Sequence, residues 1–299
     1  MSEENNAPNR LRLNSNCKFL AVCLGNTNGA KSDDATTWSS TNQGGLGWTS
    51  IAYGNQSFVA LGNGGNSNVC SLTYDGSNWA TVCLPDNISW SGITYGNDKF
   101  VAVAAFTNKY AYSSDGINWT LGTLPSNSFW SGISYVNDTF VAISGNVAIS
   151  TDGISWSSYS ATNLNYGVAY GNGVYVGFSG TGPNGYVVVS PDAINWSSYI
   201  LPSYTNSIQS VAFGNGIFVA MERSGAGGQA SRALYSPDGY SWTFVNLNGN
   251  HDWYNIIFQN GKFIAIARNS TVFAESVDGI TWVYNAAPFY ATWTKLAYG

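Results

Sequence analysis

Residues 293–299, WTKLAYG, and residues 16–22, NCKFLAV, are two halves of a phrase that recurs through the chain between them. A whole copy reads WSGITYGNDKFVAV at 90–103, two apolar runs separated by a Gly-Asn turn, which is typical of a β-hairpin. The final copy stops at its glycine, and the first copy begins after that point. We therefore predict that the C-terminal strand, Trp293–Tyr298, joins the N-terminal partial unit and closes a ring.

A second marker, an aspartate four residues before a tryptophan, recurs at steps of 37 to 46 residues, and we name each such segment a box turn. The aspartates are Asp34, Asp75, Asp115, Asp152, Asp192, Asp238 and Asp278. The tryptophans are Trp38, Trp79, Trp119, Trp156, Trp196, Trp242 and Trp282. Four short alternating runs in each repeat of ~40 residues are the signature of a propeller blade. The sequence thus predicts an all-β, seven-bladed β-propeller of four-stranded antiparallel blades over residues 16–299, preceded by an arm over residues 1–15.

The composition of the 299-residue chain excludes several classes of protein. Aromatic residues make up 15% of it, glycine supplies 34 residues and charged residues only 9%, which favours strands and turns. Because the net charge is −5 and no basic stripe is present, we expect no nucleic-acid partner. No apolar run approaches ~18 residues, so no membrane span is expected. The cysteine spacing fits no zinc pattern, and we expect no metal and no cofactor; whether Cys70 and Cys83 are bonded stays open.

The box turns resemble the Asp-box repeat of bacterial neuraminidases and related propellers. The resemblance rests on SSDGINW at 113–119 and on the matching segments 150–156, 236–242 and 276–282. It implies that each box forms the turn between the third and fourth strands of a blade. A carboxylate in such a turn accepts backbone N–H groups, and the tryptophan fills space between blades. We therefore expect the box aspartates and tryptophans to be structural and not catalytic.

The resemblance to neuraminidases also raises the question of catalysis. Such enzymes need three arginines that converge on a carboxylate, a tyrosine nucleophile with a glutamate partner, and an acid/base aspartate. Of the five arginines, Arg10 and Arg12 lie in the arm, and Arg223, Arg232 and Arg268 crowd into two adjacent repeats. We therefore predict no enzyme and no catalytic residue, and keep a sialidase-like glycoside hydrolase as a remote alternative.

The segments that vary between repeats are the expected position for recognition. A group of the remaining charges falls in the variable loops of the fifth and sixth repeats, where arginines can bind a carboxylate or phosphate and aromatic rings can stack on a sugar. The candidate ligand-binding residues are Glu222, Arg223, Arg232, His251, Asp252, Trp253, Tyr254 and Arg268. The alternative interpretation is an ordinary solvated cluster of salt bridges. Five tryptophans that begin first strands are either stacking platforms for glycans or packing between blades.

The arm and the composition favour a functional hypothesis. Arg10, Leu11, Arg12 and Leu13 alternate as an added strand would, so we expect the arm to dock on a neighbouring chain in an oligomeric assembly. Chains that are rich in Asn, Gly and Ser, with degenerate box turns and a short arm, resemble virion proteins of tailed bacteriophages. This implies a non-enzymatic structural or adhesion component of the virion, such as a tail fibre, spike or capsid decoration. The arm would bind other virion proteins, and the loops would bind a host surface glycan or neighbouring subunits; the alternative is a free glycan-binding lectin.

Overall fold

A computed structural model of the chain describes residues 17–44, 47–62, 67–179, 185–201, 207–223 and 232–299. The described residues are all-β, without a helix, as the composition predicts. None of them therefore belongs to a helix of the length and apolarity needed to cross a bilayer. The predicted arm, including Arg10, Leu11, Arg12 and Leu13, lies outside the described residues.

The strands are short and follow one another closely in the chain. The first are β1 (Phe19–Leu24), β2 (Asn28–Ser32), β3 (Ser39–Asn42), β4 (Trp48–Gly54), β5 (Ser57–Gly62), β6 (Val69–Thr73), β7 (Ala80–Cys83), β8 (Trp90–Gly96), β9 (Lys99–Ala104), β10 (Thr107–Ser113) and β11 (Thr120–Ser128). Next are β12 (Gly132–Val136), β13 (Thr139–Ile143), β14 (Gly145–Ser150), β15 (Ser157–Leu164), β16 (Ala169–Gly171), β17 (Val174–Ser179), β18 (Tyr186–Ser190) and β19 (Ser197–Ile200). The last are β20 (Ile208–Gly214), β21 (Ile217–Glu222), β22 (Arg232–Ser236), β23 (Thr243–Asn246), β24 (Asp252–Gln259), β25 (Lys262–Arg268), β26 (Ser270–Ser276) and β27 (Val283–Tyr298).

Hydrogen bonding divides these strands into antiparallel units of four in chain order, so the predicted repeated unit is confirmed. Strands β4–β7, β8–β11 and β20–β23 each form a separate sheet. Strands β12–β15 and β16–β19 form two such units, which touch through one pair, Leu164 with Ser179. Repeated four-stranded antiparallel sheets of this kind are the construction of a multi-blade β-propeller.

The 16-residue strand β27 belongs to two units at once. Its first half pairs with β26, from Glu275 opposite Val283 to Ser270 opposite Ala291. Its second half pairs with β1, from Leu24 opposite Thr292 to Phe19 opposite Tyr298. The C-terminal strand therefore supplies the inner strand of the unit that β1, β2 and β3 begin.

The first strand of each unit packs against the first strand of the next. These contacts run from β27 to β4, β8, β12, β16, β20 and β24, and then back from β24 to β27. In a propeller the innermost strands surround a central channel. Four of these strands carry Trp48, Trp90, Trp253 and Trp293, and Trp130 lies two residues before β12; all five tryptophans are at most 3% exposed. These rings pack between units and do not form an exposed platform.

The Tyr-Gly pair that ends a first strand is explained by contact between units. A Cβ placed on Gly96 would lie 2.1 Å from Cγ of Tyr135 in the next unit. Gly54 meets Tyr95 in the same way, and Gly299 meets Tyr53. Only a residue without a side chain leaves room for the neighbouring ring at this point.

The asparagine that follows this glycine also joins neighbouring units. Asn55, Asn97 and Asn215 have positive φ angles of 43°, 41° and 49°, which asparagine tolerates in a turn. Their side-chain amides donate to the carbonyl oxygens of Ser114, Thr151 and Val277, at 3.1, 3.0 and 2.8 Å. Each acceptor directly precedes the aspartate of a box turn, so the turn of one unit holds the box turn of another.

The strand register answers the open question about Cys70 and Cys83. Cys70 lies opposite Val82 and Cys83 lies opposite Val69, so the two cysteines are one position apart on neighbouring strands. Side chains one position apart point to opposite faces of a sheet. Both are free thiols, Cys70 buried and Cys83 exposed.

Candidate functional site

The seven box aspartates hold their own turns. Oδ1 of Asp115 accepts the N–H groups of Ile117 and Asn118, both at 2.8 Å, and the hydroxyl of Ser113 at 2.9 Å. The indole of Trp119 donates to the carbonyl of Gly116 at 3.0 Å. The same two backbone N–H donors reach Oδ1 of the other six aspartates. These carboxylates are therefore engaged by local hydrogen bonds.

The box turns are expected to make stability fall in acid. Burial alone would raise the pKa of Asp115, but hydrogen bonds from Asn118 and Ile117 outweigh it and lower the pKa from 3.8 to about 2. A carboxylate whose pKa is lowered by folding stabilises the protein above its unfolded pKa, and that stability is lost as the pH falls towards the folded pKa. We expect the urea midpoint to drop between about pH 4 and pH 2. In Asp115→Asn the midpoint should be lower at pH 7 and should fall less over this range; an equal fall in both proteins would contradict the assignment.

The structure brings the predicted ligand-binding residues together in two groups. In the first, Glu222 is 1% exposed, and its carboxylate accepts two hydrogen bonds from Arg232, at 2.6 and 2.8 Å. The guanidinium of Arg232 also lies 4.3 Å from the ring centre of Phe244. A buried carboxylate of this kind is stable only because the arginine faces it with two donors.

The second group, which we name the arginine cluster, consists of Arg223, Asp252, Tyr254 and Arg268. Arg223 Nε donates to Asp252 Oδ1 at 3.0 Å. Burial raises the pKa of Asp252, whereas the charges of Arg223 and Arg268 act to lower it. The guanidinium of Arg268 stacks 4.7 Å from the ring centre of Tyr254, and its Nε is buried without a hydrogen-bond partner among the described residues. Two arginines therefore surround one carboxylate, which leaves one positive charge in excess.

The remaining predicted residues, His251 and Trp253, pack against each other. Their ring centres are 5.5 Å apart in an edge-on arrangement, and His251 also approaches Tyr284. Burial lowers the pKa of His251, so the neutral imidazole is favoured. The ring of Trp253 is fully buried, so it has no free face on which a sugar could stack.

The sequence reasoning missed a charged residue on one of the first strands. Each first-strand phrase has one residue two positions after its first residue, as Lys295 is two positions after Trp293. We name these residues the channel ring. They are Ser50, Gly92, Gly132, Gly167, Ser210, Asn255 and Lys295. Lys295 is the charged member of an otherwise neutral set. An alignment of the seven first-strand phrases would have identified it.

Members of the channel ring reach the backbone of the next unit. The Oγ of Ser50 accepts the N–H of Ile93 at 3.3 Å, and Oδ1 of Asn255 accepts the N–H of Leu296 at 3.0 Å. These bonds satisfy N–H groups of first strands, whose other edge has no sheet partner. A lysine ammonium is a donor only, so Lys295 cannot repeat this bond to the next unit while it is charged.

Lys295 is half-buried, and no hydrogen bond or ion pair with another described residue holds its ammonium. Burial lowers its pKa from the ordinary value of 10.5. A desolvated ammonium without a carboxylate partner is costly, because the low-dielectric surroundings do not replace its hydration. The ammonium of Lys295 and the Nε of Arg268 thus share one feature, burial without a hydrogen-bond partner among the described residues.

Comparison with known proteins establishes the fold. No family model matches the chain, and no curated protein matches it by sequence. Virginiamycin B lyase from Staphylococcus aureus is similar in structure, with a TM-score of 0.69 and 11% identity over 81% of this chain and 85% of that one. YCF48 from Cyanidioschyzon merolae has a TM-score of 0.60 and 13% identity, over 92% and 90%. A protein from Lactobacillus plantarum has a TM-score of 0.69 and 8% identity, over 94% and 98%.

These similarities correct the functional hypothesis. The solved structures that share this fold include an enzyme, virginiamycin B lyase, and none of those named is a component of a phage particle. The prediction of a non-enzymatic virion component is therefore wrong. Its physical basis was composition, and the structure accounts for that composition through architecture, with asparagine and glycine at turns and at contacts between units. The chain is an all-β protein with the fold of a multi-blade β-propeller.

Proposed function

We propose that the chain is a ligand-binding propeller that holds a small organic anion, a carboxylate or phosphate monoester, where β24 and β27 meet at the channel. The observation that carries the proposal is the half-buried ammonium of Lys295, which has no hydrogen-bond or ion-pair partner among the described residues. An anion beside it would offset the cost of its desolvation, which no described carboxylate does. The excess positive charge of the arginine cluster supports the same ligand class.

The arginine cluster and Lys295 belong to adjacent strands. The backbone N–H of Leu296 donates to Asn255 Oδ1 at 3.0 Å, so the strand segments that contain Lys295 and Tyr254 adjoin across the unit boundary. Arg268 stacks on Tyr254. In this proposal a ligand bound between the two strands contacts the guanidinium of Arg268 and the ammonium of Lys295. A guanidinium presents two parallel donors that suit carboxylate and phosphate oxygens.

The charge at the proposed site is opposite in sign to the net charge of the protein. The chain carries a net charge of −5, so long-range electrostatics disfavour an anionic ligand. In the arginine cluster, however, Arg223 and Arg268 act on a single carboxylate, that of Asp252. Charges act more strongly at a half-buried site than at the surface because solvent screens them less. Selectivity for small anions follows, since a large polyanion would also meet the acidic exterior.

We propose in addition that the propeller has seven blades, closed by residues 293–298, and that its box turns are of the Asp-box type. The pairing of β27 with β1 and the unbroken order of first-strand contacts support seven blades and closure. Mass spectrometry after limited proteolysis between units tests closure. In a closed ring, a nicked chain keeps its two fragments together under native conditions.

Replacing Lys295 is expected to weaken anion binding. Lys295→Met keeps an unbranched side chain and removes the charge, and we expect the Kd for pyridoxine 5′-phosphate to rise at least about tenfold, equivalent to roughly 1.4 kcal/mol. Affinity should also fall as the pH rises through the lowered pKa of Lys295, because the ammonium is the binding form. Isothermal titration calorimetry measures both effects.

The matched control is Lys99→Met, because Lys99 lies at the turn that joins β8 and β9. It should bind the probe as the unmodified protein does. Arg268→Gln should weaken binding as well. Equal affinity in the Lys295→Met and Lys99→Met proteins, with unchanged thermal melting, would overturn the proposal.

A further inference from the structure

We propose that Phe106 and Phe129 form a second binding site, which takes a small uncharged aromatic compound. Phe106 lies in the hairpin that joins β9 to β10, and Phe129 directly follows β11. Their ring centres are 4.7 Å apart, and the ring planes are tilted by 53°. The two residues are 76% and 52% exposed. The two rings therefore contact each other at the surface, where burial stabilises them little.

The backbone of Phe106 is in an unfavourable conformation. Its φ angle is +59°, in the left-handed region, where a bulky side chain is strained. The hairpin that joins β25 to β26 has the same length and the same register shift against its outer partner strand. At the equivalent turn position it carries Asn269, with a φ angle of +47°, and asparagine tolerates this conformation. A phenylalanine in this turn therefore costs stability that an asparagine would not.

The two hairpins also differ at the position of the second ring. The residue equivalent to Phe129 is Thr292, and its hydroxyl donates to Asn269 Oδ1 at 2.6 Å. One hairpin thus has a hydrogen-bonded polar pair where the other has two phenylalanine rings. Because the polar pair closes an equivalent hairpin, the fold does not require aromatic rings at these positions. A strained residue that the fold does not require points to a functional role.

Aromatic pairs of the same geometry elsewhere in the protein contact a third ring. The rings of Tyr95 and Phe100 are 4.7 Å apart and tilted by 61°, and the ring of Trp119 lies 6.4 Å from that of Phe100. The same triad occurs in four other units, with pair distances of 4.6–4.9 Å and tryptophan distances of 6.3–6.5 Å. Among the described residues, no third ring contacts Phe106 or Phe129. An aromatic ligand would complete the triad here.

The surroundings of the two rings favour a ligand that is small and uncharged. Segments 104–109 and 123–129 contain one charged residue, Lys109, and their other polar residues are threonine, serine and asparagine. The single lysine disfavours a cationic ligand, and it has no second cation beside it in these segments to hold an anion. Two phenyl rings of this exposure offer about 250 Å² of surface, whereas each partner in a stable protein complex buries about 800 Å². A free compound therefore fits better than a protein surface.

Binding of indole to the full chain tests the proposal, because indole is the ring that completes the triads of the core. Saturation-transfer difference NMR measures its Kd. In Phe106→Asn/Phe129→Thr, whose substitutions follow the pair in the other hairpin, the Kd should rise at least about tenfold. This double variant should fold, with a urea midpoint at or above that of the unmodified protein, because the strained phenylalanine is gone. Tyr290→Ala, which removes an exposed ring from β27, should bind indole as the unmodified protein does.

Three further probes test the class of the ligand. Cyclohexanol and methyl β-glucoside should bind at least tenfold more weakly than indole, and the peptide Gly-Trp-Gly should bind no more tightly. Equal or tighter binding of cyclohexanol or of the glucoside would show that the rings do not select an aromatic compound. Tighter binding of the peptide would assign them to a protein partner. Each of these results overturns the proposal, as does indole that fails to bind or that binds the double variant equally well.

Discussion

A chain that ends at Ala291, without residues 292–299, is expected to lose cooperative folding. The deletion removes Trp293, which is fully buried, and Leu296, which is 2% exposed. Losing a buried side chain of this size costs about 2–5 kcal/mol, and a domain has only about 5–15 kcal/mol in total. It also leaves the backbone of β1 unpaired along one edge, because β27 supplies that partner.

Circular dichroism melting and size-exclusion chromatography measure this effect. Tyr290→Ala is the control, since that ring is 65% exposed on the same strand, and it should melt within a few degrees of the unmodified protein. An excess of a synthetic peptide covering residues 290–299 should restore a cooperative transition to the shortened chain. A shortened chain that melts as sharply and as high as the full chain would show that the terminal strand does not hold the fold together.

Two glycine-to-alanine substitutions are expected to change stability in opposite directions. In Gly96→Ala the new Cβ would lie 2.1 Å from Cγ of Tyr135, so the ring and its strand must move. Overpacking of this kind costs about 1–3 kcal/mol. In Gly132→Ala nothing lies within 4 Å of the new Cβ, and alanine restricts the unfolded chain, so a gain of up to about 1 kcal/mol is expected.

Urea denaturation of the two variants decides this prediction, because the substitution is identical and both sites are in or at the end of first strands. The Gly96→Ala midpoint should fall and the Gly132→Ala midpoint should not. Equal midpoints would mean that the contact between Gly96 and Tyr135 does not determine the spacing of the units.

The fold was predictable because its signals are local. Alternation of apolar residues, the Gly-Asn turn and the box turn recur within ~40 residues, and each specifies strands or turns by itself. The reasons why particular residues occupy the turns were not predictable. The sequence assigns Gly96 and Asn97 to a hairpin turn, yet the structure shows that both also contact another unit. Contacts between units depend on how the sheets are spaced, which no single repeat contains.

The site was predictable only in part. Charges are rare in this chain, so those of the fifth and sixth repeats stood out, and the structure does join Arg223 to Asp252 and Arg232 to Glu222. That these pairs neutralise each other, while Arg268 is left in excess, depends on side-chain distances. Lys295 was not predictable as a site residue, because the phrase that contains it resembles the others in its apolar pattern and indicates only ring closure. Ser50 and Asn255 occupy the same position in their phrases, so a comparison of Lys295 with them shows that a cation replaces a neutral residue there.

The asparagine contacts between units have a chemical consequence for the lifetime of the protein. Asn172 and Asn215 each precede a glycine, the context in which asparagine deamidates most readily. Each side-chain amide donates to two carbonyl oxygens, Asn172 to Gly216 and Pro237, and Asn215 to Gly261 and Val277. Conversion to aspartate would replace the donor with a carboxylate that faces the same oxygens. Slow deamidation would thus replace hydrogen bonds between neighbouring blades with repulsion between oxygen atoms at Asn172 and Asn215, each of which donates two such bonds.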